Sequence, residues 1–202
     1  MSSCLELIFP IDGQIDLDRL WKHPINKGKV SAFLNKSDGD NKIFQSLLFQ
    51  IAMSYNSGSS PLGKVLIITK SPWENQPLKV QEMPDSGFIN LSLLNFVFPP
   101  NFDELCQFLT NLITSASEKN LPDLVILTQD YFEENSHRKN CKILSLVREL
   151  ANRIYDVKRT TKSIQCIAAF PDAVDNLVTK LHFFVNEVWS LENDQKRLTS
   201  AQ

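Results

Sequence analysis

Two short, uninterrupted apolar runs constrain the fold of this chain more than any other feature of its sequence. They lie in residues 64–69 (KVLIIT) and 123–128 (DLVILT). Successive side chains of a strand point to opposite faces of the sheet, so an unbroken apolar run suits a strand that is covered on both faces. Strands of this kind occur almost only in parallel sheets flanked by helices. The two runs therefore predict an α/β domain.

The rest of the sequence continues the same alternation. We predict further strands at 29–34, 94–98, 163–170 and 183–191, and helices at 42–55, 101–113 and 141–157. Apolar residues recur at helical spacing in each predicted helix, and Asn101 is expected to cap the second one. The fold class is therefore α/β, with a mostly parallel sheet and helices on both faces. We expect an irregular lead-in over 1–28, the domain over 29–191, and a polar flexible tail over 192–202.

Composition excludes several classes of function. The 202 residues carry a formal net charge of −2, so binding to nucleic acid requires a local basic patch. The four cysteines contain no CxxC pair, and the three histidines have no metal-ligand spacing, so we expect no metal site. The sequence has no apolar run long enough to span a bilayer, and we expect no association with membranes.

The loop after the first predicted strand is the place to look for a phosphate site, because ligands bind beyond the carboxyl ends of parallel strands. Its sequence is KSDGDNKI. In a phosphate-binding loop of the form GxxxxGK[ST], backbone N–H groups and a lysine hold phosphate, and a hydroxyl holds magnesium. Here Lys42 occupies the lysine position and Gly39 lies within the loop. Lys36 and Asn41 replace the two glycines, and Ile43 replaces the hydroxyl.

The acidic residue that such a site needs at the end of a later strand is also displaced. The run DLVIL ends in Thr128, and Asp130 lies two residues beyond it. Two interpretations are open for Asp130: it reaches a metal, or it caps the turn before Tyr131. Two are also open for Lys42: it binds phosphate, or it is a solvated residue in the first turn of a helix. Gly39, Lys42 and Asp130 are thus the candidates for a degenerate nucleotide site. We expect no catalytic residue and no cofactor, ATP and magnesium included.

Four segments together resemble a known family. They are GKVLIITKSPWENQP (63–77), NFVFPPNFDELCQFL (95–109), PDLVILTQDYFEE (122–134) and LVTKLHFFVNEVWSLEND (177–194). They resemble the small RecA-like recombinase paralogue that partners the SWIM-domain zinc-finger protein, the pair that forms the Shu complex of homologous recombination. The resemblance covers residues 30–194 and rests on the order and spacing of these segments, of which the F-x-P-P before a helix is the most distinctive.

The resemblance implies a RecA-like (P-loop NTPase-like) core and a nuclear DNA-repair adaptor. Such an adaptor forms a hetero-oligomer with the SWIM-domain partner, binds single-stranded DNA, and promotes or stabilises filaments of a RecA-like recombinase. Some members of the family are ATPases. Carried over to this chain, Lys42 matches the phosphate lysine, Ile43 replaces the Ser/Thr, and Thr128 replaces the strand-end aspartate. Yeast members of the complex lack the motif and still act as DNA-binding adaptors.

Two sets of residues are candidates for binding surfaces. A basic segment contains the predicted DNA contacts Arg148, Lys158, Arg159 and Lys162; the alternative is a solvated helix face with cations near its C-terminus. Trp73, Phe98 and Phe102 are the predicted partner interface, and the alternative for each is core packing.

Three interpretations of function follow from the sequence. The first is a non-catalytic recombination adaptor. The second is a divergent P-loop ATPase that uses Lys42 and Asp130. The third is an unrelated doubly wound domain with a scaffold role. The missing hydroxyl and the missing glycine before Lys42 favour the first interpretation over the second.

Overall fold

The computed structural model describes residues 28–36, 41–56, 63–73, 91–133, 136–158, 164–171, 184–192 and 198–200. In chain order these form β1 (Val30–Lys36), α1 (Asn41–Asn56), β2 (Val65–Ile68), the 3-10 turn η1 (Leu91–Leu93), β3 (Leu94–Val97), α2 (Phe102–Ser115), β4 (Leu124–Leu127), the 3-10 turn η2 (Gln129–Tyr131), α3 (His137–Lys158), β5 (Cys166–Pro171), β6 (Glu187–Glu192) and β7 (Leu198–Ser200). Every predicted strand and helix named above corresponds to one of these elements, with ends shifted by up to four residues.

The strands form one sheet in the order β3-β2-β4-β5-β1-β6-β7. Every neighbouring pair from β3 to β6 is parallel, and only β6 and β7 are antiparallel. The two apolar runs lie side by side, with Val65 opposite Leu124. The prediction of a mostly parallel sheet is confirmed.

Apolar side chains cover the sheet on both faces. In β2, Leu66 and Ile68 belong to the cluster that also contains the apolar sides of α2 and α3, whereas Val65 and Ile67 belong to the cluster under α1. All four side chains of this strand are at most 7% exposed. Helices therefore lie on both faces, as the unbroken apolar run requires.

The helix ends show where local sequence signals succeed and fail. Asn101 caps α2 as predicted, since its side chain accepts a hydrogen bond from the backbone N–H of Glu104 at 2.9 Å. The third helix starts at His137, four residues before the predicted start at Cys141. The first turn of this helix is polar, so a search for apolar residues at helical spacing does not detect it. Buried Asn140 anchors this turn, because its amide group donates a hydrogen bond to the Glu133 carbonyl at 2.7 Å.

The sheet extends past residue 191, where the sequence predicted that the domain ends. Leu198–Ser200, inside the predicted flexible tail of 192–202, pair with β6 as an antiparallel strand, because backbone hydrogen bonds need no apolar pattern. The predicted lead-in lies outside the described residues up to residue 27. In the described part of the chain, no helix combines the length and apolar character that crossing a membrane requires.

Candidate functional site at the carboxyl edge of the sheet

The last residues of the parallel strands lie along one edge of the sheet, which we call the carboxyl edge. Three polar side chains there are almost fully buried: Asn35 near the end of β1 is 4% exposed, Thr69 after β2 is 0% exposed, and Thr128 after β4 is 2% exposed. Buried polar groups need hydrogen-bond partners. Their partners define the site, since this edge is where open α/β sheets bind ligands.

Three amide side chains meet between β1, α1 and β4, and we call them the amide clasp: Asn35, Asn41 and Gln129. Gln129 Nε2 donates to Asn41 Oδ1 at 2.6 Å. Asn35 Nδ2 lies 3.4 Å from both Asn41 Oδ1 and Gln129 Oε1. The clasp therefore joins the end of β1 to the first residue of α1 and to the turn η2.

Asp130, the residue after Gln129, is directed to the other side of β4. Its Oδ2 accepts hydrogen bonds from the hydroxyl groups of Thr69 and Thr128, both at 2.9 Å. The carboxylate thus ties the end of β2 to the end of β4. Asp130 lies inside the turn η2, and its carboxylate faces β2 rather than the start of α1, so its contacts are neither those of a metal ligand nor those of a cap on this turn.

Of the two other nucleotide candidates, the structure describes only Lys42. Lys42 is an exposed residue in the first turn of α1, and Gly39 lies outside the described residues. Ile43, at the hydroxyl position, is half-buried and packs against the cluster under α1. Its side chain is therefore part of the apolar core rather than of a polar loop.

The groups at this edge do not fit a magnesium–triphosphate. Magnesium in phosphate-loop ATPases is held by a Ser/Thr hydroxyl and a strand-end carboxylate. Here those two positions offer Ile43 and the hydroxyl of Thr128, and Gln129 supplies a neutral amide beside the start of α1. Within the described segments, no group of three or more His, Cys, Asp or Glu side chains could hold a metal ion. The side chains described at this edge bind elements of the fold to one another, and they include no metal-ligand set for phosphoryl transfer.

The predicted DNA-binding residues divide into two groups. Arg148 Nη1 donates to the side-chain oxygen of Asn186, which also accepts the backbone N–H of Val30. Lys158 forms an ion pair with Asp123, with 3.0 Å between Nζ and Oδ1, and the two side chains are only 15% and 14% exposed. Both cations are thus engaged within the chain. Arg159 and Lys162 lie outside the described residues.

The ion pair also shows at which edge of the sheet α3 ends. Asp123 immediately precedes β4, so Lys158 lies at the amino edge of the sheet, opposite the carboxyl edge. Lys158 and Asp130 therefore lie at opposite edges of the sheet.

An aromatic surface lies at the outer edge of the sheet, and we define it as Trp73, Phe96 and Phe98. The Trp73 and Phe96 rings meet edge to face with their centroids 5.5 Å apart, and the Phe96 and Phe98 rings are stacked at 6.3 Å. Phe96 is 37% exposed and Phe98 is 42% exposed. Trp73 also contacts Phe49 of α1, so the surface is anchored to the core.

Phe102, the third predicted interface residue, is not part of this stack. It starts α2 and packs against the main core, and the ammonium groups of Lys139 and Lys142 lie over its ring at 5.7 and 5.3 Å. The alternative of core packing therefore describes Phe102 better than that of an exposed anchor.

Sequence reasoning missed three residues of these sites. Phe96 in β3 and Phe98 directly after it are two residues apart, and a two-residue period marks one face of an extended segment, which was a usable signal. Asn35 and Gln129 gave no comparable signal, since they lie 94 residues apart in the sequence.

Comparisons with known proteins identify the fold. No protein-family model matches the sequence, and no curated protein matches it. Among solved structures, 116 chains are similar to it. One, described as the crystal structure of the RadB recombinase, has a TM-score of 0.57 and 13% sequence identity over 91% of this chain and 85% of that chain. The α/β fold of this chain is therefore RecA-like, and at this identity the likeness concerns the fold alone.

Proposed function

We propose that this chain is a non-catalytic adaptor of homologous recombination. It binds a SWIM-domain zinc-finger protein and single-stranded DNA in the nucleus, and it promotes or stabilises filaments of a RecA-like recombinase. One observation carries the proposal: a RecA-like fold in which an isoleucine and a threonine stand where an ATPase needs a hydroxyl and a carboxylate. Such a fold keeps its surfaces while lacking the groups that hold magnesium.

The aromatic surface supports a partner-binding role. Exposed large aromatic side chains are enriched in protein interfaces and account for much of the binding energy there. Phe96 and Phe98 are among the few large apolar side chains in the described residues that are exposed. We assign the SWIM-domain partner to this surface, with Trp73 as its support. Phe102 does not belong to the assigned interface.

The DNA-binding role is proposed for Arg159 and Lys162. The two other predicted contacts, Arg148 and Lys158, already have partners within the chain, so reversing their charge would perturb the fold as well as any DNA contact. Arg159 and Lys162 follow the end of α3 and can be tested without breaking the Lys158–Asp123 pair.

The first experiment is co-purification of the full chain with a co-expressed SWIM-domain zinc-finger protein. We expect a stable complex that Phe98→Asp disrupts, because an interface aromatic anchor contributes about 2 kcal/mol or more. Gln107→Asp, on the exposed side of α2, is the matched control and should leave the complex intact. Absence of a complex with the wild-type chain would overturn the proposal.

The second experiment measures binding of the complex to fluorescent single-stranded DNA over a range of salt concentrations. Phosphate contacts make affinity fall steeply with salt, so the Arg159→Glu/Lys162→Glu double variant should bind more weakly and with a shallower salt slope. Lys119→Glu, at an exposed position before β4, is the control. If the double variant binds DNA like the wild type, these residues are not the DNA contacts.

The third experiment tests the competing ATPase interpretation. We expect no binding in a titration of the chain with ATP and magnesium. Micromolar affinity that is lost in Lys42→Ala would show that the second interpretation is correct and the adaptor proposal wrong.

A further inference from the structure

We infer that the amide clasp takes the structural place of the magnesium–phosphate group of an ATPase, so that the domain is held together at its carboxyl edge without nucleotide. This inference concerns how the chain holds its own fold, which the proposed function does not address. It assigns a positioning role to Asn35, Asn41 and Gln129.

The elements joined by the clasp are the ones that a bound nucleotide joins in phosphate-loop ATPases. There, phosphate and magnesium connect the loop after the first strand, the start of the following helix, and the end of the acidic strand. Here Asn35 belongs to β1, Asn41 starts α1, and Gln129 directly follows the residue after β4. The same three places are connected by side-chain hydrogen bonds of 2.6–3.4 Å.

The strand order of the sheet explains why a side-chain connection between β1 and β4 matters. β5 lies between β1 and β4, so no backbone ladder joins those two strands directly. Neighbouring strands are about 4.8 Å apart, and a side-chain bridge from β1 to β4 must therefore span about 10 Å. Asn35 and Gln129 reach across the end of β5 to meet each other and Asn41.

The structure gives the three hydrogen bonds of the clasp one consistent set of directions. Asn35 Nδ2 contacts the oxygen atoms of both Asn41 and Gln129. Reversing either of those amides alone would place a nitrogen donor against the Asn35 donor. Asn41 therefore acts as an acceptor, and Gln129 donates to it through Nε2.

This direction permits a test with two nearly isosteric substitutions. Asn41→Asp keeps an oxygen acceptor for both donors and adds a negative charge at the start of α1, which a helix N-terminus favours. Gln129→Glu removes the only donor of that side chain and sets a carboxylate against Asn41 Oδ1. If these side chains only filled space, the two substitutions would change the thermal stability of the chain equally. If they form the clasp, the two substitutions should have opposite effects on that stability.

The measurement is the thermal unfolding midpoint of the full chain. We expect Asn41→Asp to leave the midpoint unchanged or higher, and Gln129→Glu to lower it by about 2–4 °C, the shift expected for one lost hydrogen bond in a domain of this size. The deficit of Gln129→Glu relative to wild type should shrink as pH falls towards about 4.3, where the new carboxyl group regains a proton. Equal midpoints for the two variants, or a deficit that pH does not change, would refute the role.

A nucleotide control completes the experiment. Millimolar ATP with magnesium should leave the wild-type midpoint unchanged, because a ligand that bound the folded chain would raise it. An increase of several degrees would overturn the inference. The measurement needs neither DNA nor a partner, so its failure is distinguishable from failure of the co-purification.

Discussion

Replacing Asp123 by alanine should be among the most damaging polar substitutions in this domain. Its carboxylate accepts the backbone N–H of Lys64 at 2.7 Å and pairs with Lys158 Nζ at 3.0 Å. One side chain thereby joins the start of β2, the start of β4 and the end of α3. The substitution removes all of these contacts and leaves the Lys158 ammonium group, which is 15% exposed, without its counter-ion.

The magnitude follows from the burial of the pair. Removing one partner of a fully buried ion pair costs about 3–5 kcal/mol. Because both side chains retain 14–15% exposure, water compensates part of this loss. Together with the lost hydrogen bond to Lys64, we expect the free energy of unfolding to fall by about 2–4 kcal/mol. Asp123→Asn, which keeps an acceptor for Lys64, should lose about half as much.

The assay is urea unfolding of the full chain followed by circular dichroism, arranged as a double-mutant cycle. Asp123→Ala, Lys158→Met and the double variant are compared, and the double variant should be more stable than the sum of the single losses predicts. Glu149→Ala, at an exposed position of α3, is the control and should stay within about 0.5 kcal/mol of wild type. A coupling free energy below about 0.3 kcal/mol would refute the reasoning, because exposed ion pairs already reach that value.

Other predictions concern the same fold. Gly63→Ala would place a methyl group 1.7 Å from Asp123 Oδ2, and it should lower the free energy of unfolding by about 2 kcal/mol in the urea assay. Asn101→Ala removes the N-cap of α2 and should cost about 1 kcal/mol in the same assay. Burial raises the pKa of Tyr55 and Tyr131 above the ordinary value, so the folded state favours the neutral phenols. The stability that this provides is present below about pH 10 and lost as pH rises further, and tyrosinate absorbance should report these two ionisations only as the chain unfolds.

Each of these predictions has a clear contrary result. A Gly63→Ala chain as stable as wild type would mean that the Asp123 side chain is free to move aside. An unchanged Asn101→Ala chain would mean that water satisfies the first turn of α2 equally well. Complete ionisation of all three tyrosines while circular dichroism still reports the folded state would contradict the burial of Tyr55 and Tyr131.

The parts of the fold that the sequence predicted are those governed by local physical rules. An unbroken apolar run such as that of β4 has one stable environment, between two layers of helices, and the structure confirms it. The cap at Asn101 is equally local, since donor and acceptor are three residues apart. The polar first turn of α3 and the backbone-paired β7 carry no apolar pattern, and both were missed.

The candidate site depended on strand order, which local patterns do not encode. Predicting the amide clasp would have required knowing that β1 and β4 lie two positions apart in the sheet. The sequence alone shows that Ile43 and Thr128 occupy the positions of the hydroxyl and the carboxylate, since this depends only on residue type. It could not show that Gln129 rather than Asp130 faces α1, because that depends on which way a single turn directs two adjacent side chains.

The place of β1 in the sheet has a consequence for synthesis of the chain. Its two neighbours are β5 and β6, which begin at Cys166 and Glu187. A ribosome must therefore release most of the polypeptide before β1 finds either neighbour, and pairing between such distant segments is slow. During that interval the backbone N–H and C=O groups of β1 have neither of their neighbouring strands to pair with. A truncated chain that stops before β5 would leave both edges of β1 unpaired, so we expect such fragments to aggregate rather than fold.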